Sequence, residues 1–174
     1  MKIRNFIGGV MAVCLLGALS SCSPSSVQNN GTPRDPDASI TASSTINAFS
    51  LHIGDCLIQS QLGDQVTEVP AVPCDQPHDS EVIFIFAVTD TAYSEATINN
   101  EAQVQCDQAM VNYVGPNYGS VTPAIDSMWF APSAQSWPTG DREVDCLVVT
   151  TSGNLDLTSS VQGLGLQTST ASPS

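Results

Sequence analysis

Four cysteines limit what the central part of this chain can fold into. They are Cys56, Cys74, Cys106 and Cys146. An even number of cysteines in a small exported domain is typical of a disulfide framework, and four allow three pairings. We favour Cys56 with Cys74, which joins neighbouring segments, and Cys106 with Cys146, which ties a predicted helix to the last predicted strand. Their loops of 18 and 40 residues would contribute about 3 and about 4 kcal/mol.

The first 21 residues have the pattern of a secretory signal, which would deliver these cysteines to an oxidising compartment. Lys2 and Arg4 precede an uncharged, mostly apolar run over residues 6–19. That run is shorter than the roughly 20 residues that a helix needs to cross a bilayer. We therefore expect residues 1–21 to be removed after export.

The residues around the predicted cleavage site resemble the lipobox of bacterial lipoproteins. Leu19, Ser20 and Ser21 lead directly into Cys22. In lipoproteins such a cysteine receives a diacylglycerol before cleavage, and two acyl chains hold a protein on a membrane where one is marginal. The resemblance implies that Cys22 is lipidated and that the protein is anchored to the outer side of the cell membrane.

The chain is strongly acidic, with 17 Asp and Glu against four Lys and Arg. All the acids follow Cys22, and only Arg34 and Arg142 remain once the signal is removed, which leaves a formal charge of −15. Nucleic-acid binding requires a basic patch, and none can be built from two arginines. Nucleic acid is therefore excluded as a partner.

Composition divides the exported part into three. Residues 22–45 are rich in Ser, Pro, Asn, Thr and Asp, which predicts a flexible tether. Residues 46–152 carry the apolar patterns and should form one small domain. Residues 153–174 turn rich in Ser and Thr again, which predicts a disordered tail.

Apolar patterning within the domain predicts an α+β fold. Extended segments are predicted at residues 66–72, 81–89, 127–131 and 143–151, and residues 81–89 should be central because they are apolar on both faces. Residues 97–114 have helical spacing instead. The apolar residues on one face of that helix are Ile98, Ala102, Cys106, Ala109, Met110 and Tyr113. The sum is one helix packed on a small, mostly antiparallel sheet that two disulfides hold together.

The order of several short motifs resembles the septum formation family of actinobacterial envelope proteins, over about residues 48–150. The motifs are Ile53-Gly54-Asp55-Cys56, Val72-Pro73-Cys74-Asp75-Gln76-Pro77-His78, Glu81-Val82, the helical Cys106, and Trp137-x-x-Gly140-x-Arg142-x-x-x-Cys146. The resemblance implies an exported or membrane-tethered protein with a part in septum formation, and it supplies no catalytic residue. A lipobox stands here where many members have a membrane helix.

Three residues of these motifs are candidates for interaction with a partner. His78 follows a proline, and its ring is predicted to satisfy main-chain groups of the turn. Trp137 is predicted to pack in the core or in a lid. Arg142 is predicted to form an internal salt bridge with Glu81 or Asp145.

The sequence predicts no catalytic residue, no cofactor and no metal, and hence a non-enzymatic envelope lipoprotein. Its partners should be the membrane, through the lipid, and an envelope protein or cell-wall component. One alternative is a metal-binding or hydrolytic module that uses His78 and nearby acids. Cys74 and His78 are four residues apart, and Cys56 or Cys106 could complete a zinc site, but export favours oxidation of the thiols.

Overall fold

A computed structural model describes residues 32–62 and 66–166. In this part of the chain six strands and one α-helix form the fold. They are β1 (Ser44–Asn47), β2 (Cys56–Leu57), β3 (Glu68–Val72), β4 (Ser80–Ala87), α1 (Glu95–Tyr113), β5 (Ile125–Phe130) and β6 (Glu143–Thr150). The predicted α+β class is confirmed.

The strands form one antiparallel sheet in the order β1-β3-β2-β4-β6-β5. Strand β4 lies between β2 and β6, so the segment predicted to be central is central. Its run of Val, Ile and Phe is typical of a strand that is covered on both faces. Strand β6 is also interior, between β4 and β5.

Helix α1 begins at a serine cap and ends at a glycine. The Ser94 side chain accepts a hydrogen bond from the Thr97 N–H, which satisfies one of the free donors of the first turn. After Val114, Gly115 has a φ of 119°, which favours glycine. The buried helix residues are Ile98, Ala102, Cys106, Ala109 and Met110. None of the helices in the described residues combines the length and the hydropathy of a membrane-spanning segment.

The two faces of the sheet bury different parts of the chain. On β6, Val144, Cys146 and Val148 face the helix, whereas Leu147 packs with β1, β2 and β3 on the other face. This alternation follows from the two-residue period of a strand. Residues of β6 with odd numbers therefore face away from the helix.

Both favoured disulfides are present. Cys56 is bonded to Cys74 and Cys106 to Cys146, each with Cα atoms 5.2 Å apart. The second bond joins α1 to β6 in the centre of the helix-side core. The zinc and free-thiol alternatives therefore do not describe the oxidised protein.

The segment after β6 is part of the fold, and the predicted disordered tail is wrong for residues 153–166. Leu157 and Val161 are buried in the helix-side core, and Leu157 forms a β-bridge with His78. The Gly165 N–H donates a hydrogen bond of 2.7 Å to the Val114 carbonyl, which is one of the free carbonyl groups at the C-terminal end of α1. The composition of this segment did not indicate that it is ordered, because its few apolar residues are spaced among Ser and Thr.

The predicted tether is also wrong in part, because the fold begins before residue 46. Arg34 forms an ion pair with the buried carboxylate of Asp55, through two hydrogen bonds of 2.5 and 2.6 Å. Ile40 is buried against the core of β1 and β3. A bidentate arginine–carboxylate contact is among the stronger charged hydrogen bonds, so this segment is held to the domain.

Candidate functional site

A cleft of about 420 Å³ lies on the sheet face that is turned away from α1. The loop between β5 and β6 forms one wall, and the turn after β1 forms the other. The residues that give the cleft its chemistry are Phe49, Phe130, Thr139, Asp141, Glu143 and Asp145. The cleft therefore combines an apolar wall with three carboxylates.

Three carboxylates meet in the cleft, two from β6 and one from the loop before it. Glu143 and Asp145 are alternate residues of β6, so they share a face, and Asp141 lines the cleft two residues before the strand begins. Asp145 lies between Ile85 of β4 and Phe130 of β5, its partners in the sheet. Hydrophobic neighbours on both sides leave this carboxylate in an apolar setting.

Asp145 is 4 % exposed, and its buried Oδ1 atom has no hydrogen-bond partner. Burial, and then the nearby carboxylates of Glu143 and Asp141, raise the pKa of Asp145 to about 7. Burial and then Asp141 also raise the pKa of Glu143. A buried polar atom without a partner costs free energy, and such groups cluster at functional sites.

No internal cation neutralises the cleft within the described ranges. The chain has two arginines after Arg4, and both are engaged elsewhere. Arg34 is paired with Asp55, and the guanidinium of Arg142 lies over the ring of Trp137 with its carbon 3.5 Å from the ring centre. Neutralisation of Asp145 therefore requires a proton or an external cation.

The cleft does not have the geometry of a preformed metal site. A metal ion needs several ligand atoms within a few ångströms of one another. In the described segments, the set of three acidic, histidine or cysteine ligand atoms that meets this condition within 4.8 Å is Cys56, His78 and Glu81. The spread of the cleft carboxylates suits a larger organic cation better.

The raised pKa of Asp145 predicts that the free energy of unfolding falls as pH rises from about 4 to about 7. In the unfolded chain the Asp145 carboxyl has an ordinary pKa of about 3.9. Between about pH 4 and about pH 7 this group is therefore protonated in the folded state and ionised in the unfolded state. Protonation therefore stabilises the fold, and the stabilisation is lost as pH passes the folded pKa. We expect a fall of about 2–3 kcal/mol between about pH 5 and pH 8.

Asp145→Asn should remove most of this fall, since the neutral side chain does not ionise. Urea unfolding of both proteins at the two pH values measures the difference. Asp75→Asn, which removes an exposed carboxylate outside the cleft, is the matched control and should keep the wild-type slope. An unchanged slope in Asp145→Asn would contradict the assignment of this group.

Two of the predicted interaction residues support the cleft wall. Trp137 is buried in a cluster with Val88, Ile98 and Val144, and its carbonyl accepts a hydrogen bond of 2.9 Å from Arg142 Nη1. The predicted salt bridge of Arg142 with Glu81 or Asp145 is wrong: Arg142 precedes β6 and stacks on Trp137. Together the two residues hold the loop that carries Thr139 and Asp141.

His78 lies elsewhere, at the opposite end of the β4–β6 pair. Asp79, next to it, receives a main-chain hydrogen bond from Thr150, whereas Arg142 receives one from Val88 at the other end of β4. Nine residues of extended chain separate these ends, or roughly 25–30 Å. The three candidate interaction residues therefore do not form one site.

The surroundings of His78 are themselves chemically unusual. Its ring is fully buried, with Nδ1 2.7 Å from the Gln76 carbonyl oxygen and Nε2 without a hydrogen-bond partner. Cys56 and Glu81 each place a ligand atom close to it. In the oxidised protein the Cys56 sulfur is held in a disulfide, so it is not a thiolate ligand.

Cys22, the predicted lipidation site, lies outside the described residues. Sequence analysis missed the cleft carboxylates as a group and used Asp145 only as a partner for Arg142. The signal that could have found them is the Asp-x-Glu-x-Asp spacing, which runs into the start of β6 and puts its second and third acids on one face of that strand.

Comparison with known proteins identifies the family. The model of the septum formation family matches residues 20–146, which is most of the 174 residues. No curated protein and no solved structure matches the chain. The match includes both disulfides and the cleft carboxylates up to Asp145, and membership supports a role in cell division or the cell envelope. The chain belongs to the septum formation family.

Proposed function

We propose that the protein is a lipid-anchored envelope protein without catalytic activity, whose domain binds a cationic partner in cell division or envelope maintenance. Family membership supports the process, and the lipobox at Cys22 supports the anchor. The cleft supports binding. The partner is an envelope protein or cell-wall component that presents an amino group on a hydrocarbon stem, such as a lysine side chain.

The observation that carries this proposal is the buried Asp145, which lines the cleft and has one carboxylate oxygen without a hydrogen-bond partner. Ionised and unpaired, that carboxylate destabilises the fold at neutral pH, and natural proteins keep such costs mainly where function requires them. An ammonium group supplies both the charge and the hydrogen bond that Oδ1 lacks.

The walls of the cleft suit the rest of such a ligand. Phe49 is 56 % exposed on one side, and Phe130 lies on the other. A lysine stem packs along apolar surface while its charged end stays with polar groups. Glu143 and Asp141 add attraction at the more open end of the cleft, where Thr139 offers a hydroxyl group.

Calorimetric titration of the full chain with a short lysine-rich peptide tests the proposal. Truncation of one partner of a buried ion pair costs 2–5 kcal/mol, so Asp145→Asn should weaken binding by about 30-fold or more. Asp75→Asn removes the same charge from the exposed surface and should change the affinity less than about twofold.

Equal losses in the two variants would show that the peptide responds only to the overall negative charge, and the cleft proposal would then fail.

The anchor has its own test. Mass spectrometry of the native protein should find the chain beginning at an acylated Cys22. Recovery of the unprocessed chain from the cytosol, beginning at Met1, would refute the anchor without affecting the cleft.

A further inference from the structure

A second group of buried side chains, separate from the cleft, surrounds the Cys56–Cys74 disulfide. Cys56 Sγ, a ring nitrogen of His78 and a carboxylate oxygen of Glu81 all lie within 4.8 Å of one another, and all three residues are fully buried. The Cys74 sulfur is bonded to Cys56 and belongs to the same cluster. Sulfur, imidazole and carboxylate together are a donor set that Zn²⁺ prefers.

The ring of His78 is already oriented as a zinc ligand. A carbonyl oxygen only accepts hydrogen bonds, so the 2.7 Å contact with Gln76 places the proton on Nδ1. Nε2 then carries a lone pair, and it has no partner although the ring is 0 % exposed. Metal-bound histidines are typically held by this kind of contact, with the other ring nitrogen donating to a carbonyl.

Glu81 is oriented in a similar way. Its Oε1 accepts hydrogen bonds from Tyr113 at 2.6 Å and Ser160 at 2.7 Å, and its Oε2 accepts one from the Val161 N–H at 2.7 Å. Oε2 therefore retains a lone pair for a metal ion. Ligating carboxylates are commonly hydrogen-bonded on their outer side in this manner.

We propose that reduction of the Cys56–Cys74 bond converts this cluster into a Zn²⁺ site formed by Cys56, Cys74, His78 and Glu81. A dithiol reduces the bond: it gives up two electrons and two protons, becomes a disulfide, and leaves two cysteine thiols. Zinc then binds both sulfurs as thiolates and releases the two protons to water. In a tetrahedral site the sulfurs need only separate to roughly 3.5–3.8 Å.

The cluster can be reached by a reductant and by a metal ion. A cavity of about 390 Å³ is lined by Gly54, Cys74, Tyr113 and Ser160, so it opens on one sulfur of the bond and on two residues that contact Glu81. Cys74 is partly exposed, whereas both cysteines of the other disulfide are fully buried. Exposed disulfides react first, so a dithiol should reduce Cys56–Cys74 selectively.

Zinc titration against a chromogenic chelator tests the site in the full chain carrying C14S and C22S, so that only four cysteines remain. After limited reduction, verified by alkylation and mass spectrometry, the chain should take one equivalent of Zn²⁺ from the chelator. The oxidised chain should take none. Cobalt in place of zinc should show thiolate charge-transfer absorption with tetrahedral bands.

Variants separate the proposed ligands from their supports. Loss of a residue that hydrogen-bonds to a metal ligand typically costs about 10–100-fold in metal affinity, so Tyr113→Phe should lose about 10-fold. His78→Gln removes a ligand itself and should lose at least about 100-fold. C56S/C74S should lose the site altogether. C106S/C146S removes the other pair and should keep it, which makes these two double variants matched controls.

The proposal is overturned if the folded, reduced chain binds no zinc, or if C56S/C74S binds it as well as C106S/C146S does. Should reduction unfold the chain, zinc must restore its circular dichroism spectrum, and it must fail to do so in His78→Gln. Recovery that is equal in both, or absent in both, also rejects the site. None of these outcomes bears on peptide binding in the cleft.

Discussion

A chain that ends at Ser152 should lose about 4–6 kcal/mol of its free energy of unfolding relative to the full chain. Truncation removes Leu157 and Val161 from the helix-side core, and burial of such a side chain contributes about 1.5–3 kcal/mol. It also removes two of the three hydrogen-bond donors to the buried carboxylate of Glu81. Urea unfolding followed by circular dichroism measures the loss.

A chain that ends at Leu166 keeps all of these contacts and serves as the control. If the two truncated chains were equally stable, residues 153–166 would not support the core.

A point change reaches the same interface. At Gly115, a Cβ atom would lie 2.6 Å from the main chain of Gly165, and φ is positive, so Gly115→Ala should destabilise the protein by about 1–3 kcal/mol. Gly119→Ala, with nothing near its Cβ position, should be neutral.

Replacement of the second disulfide, C106A/C146A, should lower the free energy of unfolding by about 4 kcal/mol. The bond closes a loop of 40 residues and joins α1 to β6, so its loss frees the unfolded chain and leaves a gap in the helix-side core. The Cys56–Cys74 bond closes a loop of only 18 residues, so its removal in C56A/C74A should cost about 3 kcal/mol.

The two bonds close separate loops, and only Cys106–Cys146 belongs to the helix-side core, so their effects should be close to additive. Their sum, about 7 kcal/mol, falls within the 5–15 kcal/mol that stabilises a typical domain. Full reduction should therefore shift the unfolding midpoint to much lower urea, while selective reduction of the first bond leaves a folded protein. A fully reduced chain as stable as the oxidised one would contradict the role of both bonds.

Local patterns were sufficient to predict most of the fold. The three-to-four-residue spacing from Ile98 to Met110 identified the buried face of α1, and the run of β-branched and aromatic residues identified β4 as central. The cysteine pairing followed from the same elements, because a bond between Cys106 and Cys146 joins a helix to the strand on which it packs.

The ends of the domain were not predictable in this way, because their order depends on contacts distant in sequence. Arg34 is held by a carboxylate 21 residues away, and Val161 is held by Glu81, 80 residues away. Composition alone describes such segments as polar and flexible. The family match, which ends at residue 146, also stops before the segment that covers the helix-side core.

The candidate site was predicted only in part, for a related reason. Trp137 and Arg142 belong to one sequence motif, and in the structure they contact each other and hold the loop beside the cleft. Asp145 looked like an ordinary acid in a strongly acidic chain. Its burial and its unpaired oxygen follow from the register of β6 between β4 and β5, which the sequence does not reveal.

If Cys22 carries the proposed lipid, the ion pair between Arg34 and Asp55 also sets how far the domain can lie from the membrane. A tether from Cys22 to residue 46 would have 24 residue steps and a maximum span of about 86 Å. A tether from Cys22 to Arg34 has 12 residue steps and a maximum span of about 43 Å. Halving the radius reduces the accessible volume about eightfold, and local concentration rises accordingly. With the proposed anchor, the docking of Arg34 and Ile40 on the domain thus keeps the binding cleft close to the bilayer.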